Sequence, residues 1–395
     1  MGGLCSLRKL NRKSYYIILN LTNTLADVFS APRRALSLTK ILIFFRANLV
    51  GYSMYLFANY LSLILAGLTL NEIWTNEGLY PCAHTYNIPW YSMMLFWGSV
   101  INWILMIYGS IGVAAKHTIC ELKKNYFISI DEAHEKVKKN WVPMLFGTIS
   151  ILLILAFYIA MASIFGLISK IPYLGGLFFS FTYLIHVSGA IFAIFTIFVL
   201  LVSLVYSPII VSSLNEDSMG TVFNAYMIAW RFPLQIILYN LIFIPIIFVG
   251  MSFFSIVILA GLKTVNILFG HSLLMGQELL EITSMAYSKS IPFDILSKFY
   301  SEDISSFINS FLISFDTFTL STGKALSTIM ITVFTLCTVL ITLSYSLSIL
   351  SVGQVLIFNV FQKRVGVDLF YNEDKTLKPN DNVREKNSNG RVDKK

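Results

Sequence analysis

Six long apolar stretches constrain this chain more than any other feature of its sequence. Each has the roughly 20 mostly apolar residues with which an α-helix crosses the hydrocarbon core of a bilayer. Only 13% of all residues are charged, against about 25% in soluble domains, so a water-soluble enzyme is excluded. We therefore predict an all-α fold: a polytopic integral membrane protein whose six or so transmembrane helices form hairpins, with interfacial amphipathic helices between them. The predicted spans are Leu49–Leu70, Pro89–Ala115, Val142–Ser169, Leu177–Val205, Leu234–Leu262 and Leu326–Phe361.

The positions of Lys and Arg predict how these spans are oriented. Residues 1–48, 116–141, 206–233 and 362–395 lie on one side of the membrane and hold 24 of the 29 basic residues. Because cytoplasmic loops are the basic ones, we expect both termini in the cytoplasm; the resemblance described below implies that the membrane is a bacterial inner (plasma) membrane. This bias also accounts for the net charge of +8, so the basic excess does not require a nucleic-acid partner.

The same pattern divides the chain into five segments. Residues 1–48 form a basic cytoplasmic segment with room for an interfacial helix, and residues 49–262 form a five-span bundle. Residues 263–324 are expected to be an outward-facing amphipathic helical loop, followed by a long sixth span at 325–361. The tail 362–395 is polar and mixed in charge, and such segments stay disordered.

Two of the predicted spans are longer than a bilayer requires. The apolar run from Leu177 to Val211 and the last run both exceed the length that about 30 Å of hydrocarbon needs. Ordinary mismatch, absorbed by tilt or kinks, is the favoured interpretation; the alternative is that both helices protrude to hold a cytoplasmic partner. We expect Pro208 to end the fourth span and Pro245 to kink the fifth.

A short helix is predicted ahead of three of the spans. Ser129-Ile130-Asp131-Glu132 has the form of a capping box, and the helix after it leads into Trp141 at the third span. Glu216-Asp217-Ser218 precedes a second such stretch, which ends at Trp230-Arg231 before the fifth span. Trp141, Trp230 and Arg231 are predicted interface anchors, because Trp and basic residues favour the headgroup level. The segment around Pro32 suggests a third copy, giving a unit of one short helix plus one hairpin.

The outer loop between the fifth and sixth spans has two amphipathic stretches. One surrounds Leu279, Leu280 and Ile282; the other repeats apolar residues at helical spacing between Ser and Asn residues. Neither has the basic polar face typical of helices that lie on a membrane. We therefore predict that this loop caps the bundle or docks a partner. The partner-docking candidates are Ile304, Phe307, Ile308, Phe311, Leu312 and Phe315.

No catalytic, cofactor or metal site is predicted. The four cysteines are scattered, and Cys82 with His84 supplies only two ligands, which do not make a metal site. The middles of the spans contain no Asp, Glu, Lys or Arg, which disfavours a proton pump or ion symporter. The intramembrane polar candidates are His186, Asn102 and Asn240. His186 is either a proton or ligand site or, as is more common for such a histidine, hydrogen-bonded to a neighbouring helix.

One segment resembles a group of known membrane proteins. Tyr206–Val211 (YSPIIV), the acidic turn Glu216-Asp217-Ser218 and the stretch Ala225–Trp230 are similar to those of bacterial six-span inner-membrane proteins. That group includes the membrane domain of some glycerophosphodiester phosphodiesterases. The resemblance covers about residues 130–260 and implies a fold and a location but no activity. This chain departs from the group in its long outer loop and carries no soluble phosphodiesterase domain.

These features predict a non-enzymatic integral membrane protein that serves as a scaffold or accessory subunit of a larger membrane complex. The outer loop and the long last helix would be its docking surfaces for other membrane-protein subunits, alongside its contact with the lipid bilayer. The alternative is a carrier or channel for lipid or another apolar solute, with its pathway near His186, Asn102 and Asn240.

Overall fold

The computed structural model describes residues 25–82, 88–123, 130–271, 273–291 and 322–366. This part of the chain contains eleven α-helices and no β-strand, and six of the helices are long and apolar enough to cross a membrane. The prediction of an all-α polytopic membrane protein is confirmed. The helices are α1 Ala31–Ala35, α2 Leu38–Leu65, α3 Leu70–Asn76, α4 Trp90–Leu122, α5 Ile130–Lys139, α6 Trp141–Ile168, α7 Leu174–Leu214, α8 Ser218–Arg231, α9 Pro233–Phe269, α10 Gln277–Ser290 and α11 Thr322–Val365.

The long helices extend beyond the predicted spans, mostly on one side of the bundle. We call this side, where α2 begins and α11 ends, the base, and the opposite side the crown. Helix α2 begins eleven residues before the predicted Leu49, and α4 continues seven residues past Ala115. Hydropathy locates only the apolar part of a helix, whereas these base ends carry charged residues and still continue the helix.

Pro208 does not end the fourth span, so that prediction is wrong. Helix α7 runs through Pro208 to Leu214 as one element of 41 residues. Pro208 and the residues from Tyr206 to Ser212 are all buried, so neighbouring helices hold this stretch in place, as membrane bundles do for proline within a helix. Pro245 likewise lies inside the continuous helix α9.

A short helix precedes each of the three hairpins, as the sequence pattern predicts. Helix α1 precedes α2 and α4, α5 precedes α6 and α7, and α8 precedes α9 and α11. The acidic turn before α8 works as a cap, because Asp217 Oδ1 accepts a hydrogen bond from Gly220 N at 2.7 Å. Such a bond satisfies one of the free N–H groups at the start of a helix.

Helix α11 lies at the centre of the bundle and packs against α1, α2, α4, α7, α9 and α10. Small polar side chains allow this close approach: Ser348 Oγ donates to the carbonyl of Ala35 at 2.9 Å, and Ser351 Oγ to that of Ile111 at 3.3 Å. Residues 351–362 are all buried. The base half of this helix is therefore core, and the exposed large apolar side chains of the helix, from Leu326 to Phe334, lie in its crown half.

Tyrosines and helix α10 build the crown. The hydroxyls of Tyr52, Tyr55 and Tyr60 on α2 donate to the carbonyls of Leu79, Pro81 and Gly78, at 2.6–2.7 Å. Burial raises the pKa of Tyr80 to about 12, so its hydroxyl stays protonated and donates to the Ser290 carbonyl of α10. Helix α10 packs on α11, as expected for a capping element of the outer loop.

The crown halves of α6 and α7 contact each other but few other helices. In α6 only Met144, Gly147 and Ile151 are buried, all in its base half. Phe165 and Phe178 stack across the hairpin with ring centroids 6.1 Å apart. Most other apolar side chains of this hairpin's crown half are exposed, which is the pattern of helices that face lipid.

Candidate functional site

A cavity of about 660 Å³ opens between α2, α4, α5 and the first residue of α6. Its volume lies within the range of about 300–1,000 Å³ that is usual for small-molecule sites. The walls are mostly apolar and come from α2 and α4. The charged lining comes from Arg46 on α2 and from Asp131, His134 and Lys138 on α5. We take this cavity as the candidate site because it combines an apolar wall with a cluster of charges.

The charged residues lie at the level expected for lipid headgroups. Arg46 on α2 and Gly109 on α4 each lie 19 residues from the crown end of their helix, about 29 Å at the rise of an α-helix. The hydrocarbon core of a bilayer is about 30 Å thick. A membrane whose crown boundary lies at Leu65 and Trp90 therefore has its base boundary at Arg46, beside α5.

Helix α5 presents its charged residues to the cavity along one face. Asp131, His134 and Lys138 follow helical i, i+3 and i+7 spacing, while Ala133 and Val137 are buried against the bundle. Among the described residues, Asp131, His134, Lys138 and Arg46 form no hydrogen bond or ion pair. All four are exposed and are therefore available to a ligand.

Two glycines of α4 let the start of α6 close the base of the cavity. A Cβ on Gly109 would lie 2.3 Å from Trp141 Cζ3, and one on Gly112 would lie 2.4 Å from Met144 Cε. Ser212 Oγ on α7 also donates to the Gly112 carbonyl at 2.9 Å. The Trp141 ring, half-buried, thus rests directly on the α4 backbone and forms the floor of the cavity. Trp141 is more than the surface anchor predicted from the sequence.

The apolar wall extends towards the crown as far as Asn102. From Val113 to Asn102 the cavity follows α4 for eleven residues, about 16 Å at helical rise. With the base boundary at Gly109, the part from Gly109 to Asn102, about 10 Å, lies within the hydrocarbon. Leu105 and Met106 line this length. Asn102 Nδ2 lies 3.2 Å from Met54 Sδ, a weak acceptor, at the far end. The cavity is therefore charged at its base end and mostly apolar beyond.

Asn240 does not belong to this cavity. Its Nδ2 donates to the Tyr206 hydroxyl at 3.2 Å and to the Ile236 carbonyl at 2.8 Å, and its Oδ1 accepts from Gln354 Nε2 at 2.7 Å. These bonds join α7, α9 and α11 near the base. The side chain therefore hydrogen-bonds three helices together.

His186 lies in a third place, between α6 and α7. Its Nδ1 lies 2.7 Å from the Thr182 carbonyl, so Nδ1 carries the proton. Its ring centroid lies 5.3 Å from that of Phe165 and 5.0 Å from that of Phe179. The three intramembrane polar candidates therefore occupy three separate interhelical contacts, and only Asn102 lines the cavity.

The remaining predicted site residues divide into exposed anchors and residues outside the described part of the chain. Trp230 is 75% exposed and packs edge-on against Phe195 with centroids 5.4 Å apart; Arg231 is exposed beside it. The docking candidates Ile304, Phe307, Ile308, Phe311, Leu312 and Phe315 all lie outside the described residues. Within the described ranges Cys82, Cys120 and Cys337 form no disulfide, and the described residues contain no cluster of three or more potential metal ligands.

An ion pair near the base was missed by the sequence analysis. Lys40 Nζ lies 2.7 Å from Glu121 Oε2 and donates to the Arg34 carbonyl at 2.9 Å. The pair joins the first turn of α2 to the last turn of α4. Both residues were assigned to inner segments outside the predicted spans because the hydropathy edges fell short of them, and their separation of 81 positions gives no local signal.

Comparison with known proteins finds no relative: no family model, curated protein or solved structure matches the chain.

Proposed function

We propose that this chain is a non-enzymatic membrane protein that binds one lipid molecule in the cavity between α2, α4 and α5, and carries or presents it. The observation that supports this proposal best is the match between the cavity and one leaflet. Its mostly apolar wall runs for about 16 Å along α4, and its charged side chains lie at the base end, so that a headgroup bound there places an acyl chain within one leaflet. A lipid with its headgroup at Arg46 and one chain along Met106 has the same distribution of polarity.

The chain of such a lipid contributes little to its own retention. Lipid tails are as apolar as Leu, so moving a chain from the bilayer into the cavity releases almost no hydrophobic free energy. Selective binding must then come from the shape of the apolar wall and from the polar groups at the base end. For this reason the test below changes the shape of the cavity without changing its charge.

Native mass spectrometry of the protein purified in mild detergent tests the proposal. We expect one lipid per chain in the wild type and loss of that lipid in Met106→Trp, because the larger ring fills the apolar part of the cavity. Ile104→Trp is the matched control, since Ile104 lies on the same helix but is 58% exposed and does not line the cavity. A protein without lipid, or equal lipid in both variants, would refute the proposal.

A role as accessory subunit is the second candidate, and a specific surface favours it. On the crown half of α11, Leu326, Ile329, Met330 and Val333 are all more than half exposed and share one face at helical spacing. Another membrane-protein subunit could pack on this face. We expect Ile329→Ser with Val333→Ser to release a co-purifying protein while Met106→Trp retains it; isolation of the wild type as a single chain would eliminate this candidate.

We also propose that the base faces the cytoplasm of a bacterial cell, with both termini on that side. The basic residues gathered near the base support this orientation. Single cysteines at Lys139 and His271, both exposed and on opposite sides of the bundle, provide a test in a background without the native cysteines. In intact spheroplasts an impermeant maleimide should label His271→Cys only; labelling of Lys139→Cys instead would reverse the orientation.

A further inference from the structure

The charged lining of the cavity limits which class of lipid headgroup can bind there. We infer that the cavity takes a glycerophospholipid whose phosphate lies between Arg46 and Lys138 and whose headgroup ends in a hydrogen-bond donor that faces Asp131. This inference rests on the proposed lipid binding and deepens it, because it specifies the headgroup that the polar end recognises.

Arg46 and Lys138 provide the phosphate site. They come from two different helices, α2 and α5, and line the base end of one cavity. Neither forms an ion pair with a described residue, so their charges are left for a ligand. A guanidinium binds a phosphate through two parallel N–H bonds, and a lysine adds a point charge. His134, one turn from Lys138 on the same face, provides a further N–H donor.

Asp131 defines the other end of the headgroup. It lies seven residues before Lys138 on the cavity face of α5, about 10 Å away along the helix axis. A carboxylate accepts hydrogen bonds and cannot donate them, so it repels the phosphate and attracts a donor. Ethanolamine supplies an ammonium with N–H groups and glycerol supplies hydroxyls, whereas the quaternary ammonium of choline has no donor.

A competition experiment tests each part of this assignment. The purified protein is incubated with an equimolar mixture of phosphatidylethanolamine, phosphatidylglycerol, phosphatidylcholine and diacylglycerol, all with the same acyl chains, and retained lipids are counted by native mass spectrometry. We expect the first two to exceed phosphatidylcholine about tenfold, the effect of one charge-assisted hydrogen bond of about 1.4 kcal/mol. Diacylglycerol, which lacks the phosphate, should be retained least.

Variants of the lining residues test the phosphate contact and the Asp131 contact independently. Asp131→Ala, which removes the acceptor, should remove the preference for phosphatidylethanolamine over phosphatidylcholine but keep both above diacylglycerol. Arg46→Gln and Lys138→Gln should reduce that phospholipid advantage about tenfold. Lys139→Gln is the control, since it removes the same charge from the next residue of α5 without lining the cavity.

The possible failures are distinguishable. If no lipid is retained by any protein, the proposed function itself fails. A second failure concerns the phosphate site alone. If the wild type retains lipid and Met106→Trp loses it, lipid binding is supported. If Arg46→Gln and Lys139→Gln then retain phospholipid equally, the assigned phosphate site is wrong. If phosphatidylcholine competes equally in the wild type, the assignment of Asp131 is wrong.

Discussion

The ion pair between Lys40 and Glu121 offers a sharp test of what holds the base together, because its two partners are buried to different extents. The Lys40 side chain is fully buried, whereas that of Glu121 is 34% exposed. Lys40 Nζ also contacts the Arg34 carbonyl at 2.9 Å. Removing Lys40 therefore leaves a different group unpaired from the one that is left when Glu121 is removed. The two single substitutions should lower the free energy of unfolding by different amounts.

The loss of stability in each variant depends on which of the two charges remains. Glu121→Gln leaves the Lys40 ammonium inside the protein without a counter-ion, and breaking a buried pair in this way costs about 3–5 kcal/mol. Lys40→Met leaves the Glu121 carboxylate, whose Oε2 is buried but whose side chain is one-third exposed and can turn towards water. We therefore expect about 1.5–2 kcal/mol, the lower part of the range for a lost charged hydrogen bond. The double variant, Lys40→Met with Glu121→Gln, leaves no buried charge and should be more stable than Glu121→Gln alone.

Equilibrium unfolding in mixed micelles with increasing dodecyl sulfate measures these differences for a helical membrane protein. We expect the wild type to be the most stable and Glu121→Gln the least stable. Lys40→Met and the double variant should lie between them, with similar stabilities. Equal stability of the two single variants, or a double variant as unstable as Glu121→Gln, would show that the unpaired Lys40 charge is not what costs stability. The same order at high salt is expected, since a buried pair is screened little.

Three further predictions use the same unfolding assay. Gly353→Ala should cost about 1–3 kcal/mol through overpacking, because its Cβ would lie 2.0 Å from Phe243 Cζ, whereas Gly261→Ala meets nothing within 4 Å and should be neutral. Asn240→Leu should cost about 1–3 kcal/mol by leaving Tyr206 and Gln354 without their partner, while His186→Phe, between two phenylalanines, should be tolerated. Asp217→Ala should cost about 1 kcal/mol by removing the cap of α8, and its neighbour Glu216→Ala much less; equal effects within any pair would contradict the assigned contact.

The spans were predictable because hydropathy and length are properties of a local stretch. All six predicted spans overlap one long helix each, and the Asp217 turn could be recognised from its neighbours alone. The base ends of α2 and α4 were not predicted, since Lys40 and Glu121 look like loop residues until their partner is known. Pro208 was misjudged for a similar reason: its burial by other helices, which keeps α7 continuous, is a tertiary effect.

The cavity could not be predicted, because its charged residues come from distant parts of the chain. Arg46 and Lys138 are 92 positions apart, and both were assigned to basic cytoplasmic segments. Their meeting depends on how α5 approaches α4, which Gly109 and Gly112 permit through the contacts of Trp141 and Met144. A glycine within an apolar span gives no indication of which side chain will rest on it.

The three short helices differ in the side chains that they carry next to the bundle, and this difference bears on the cavity beside α5. Helix α1 buries Ala31 and Ala35, and α8 buries Ala225 and Ala229; these small residues let both helices pack closely on their neighbours. Helix α5 buries Ala133 and Val137, but the face beside them carries Asp131, His134 and Lys138. Charged side chains cannot close on the apolar wall of α4 without losing their hydration, so a gap remains there. The residues that keep the gap open are the same ones that can recognise a headgroup within it.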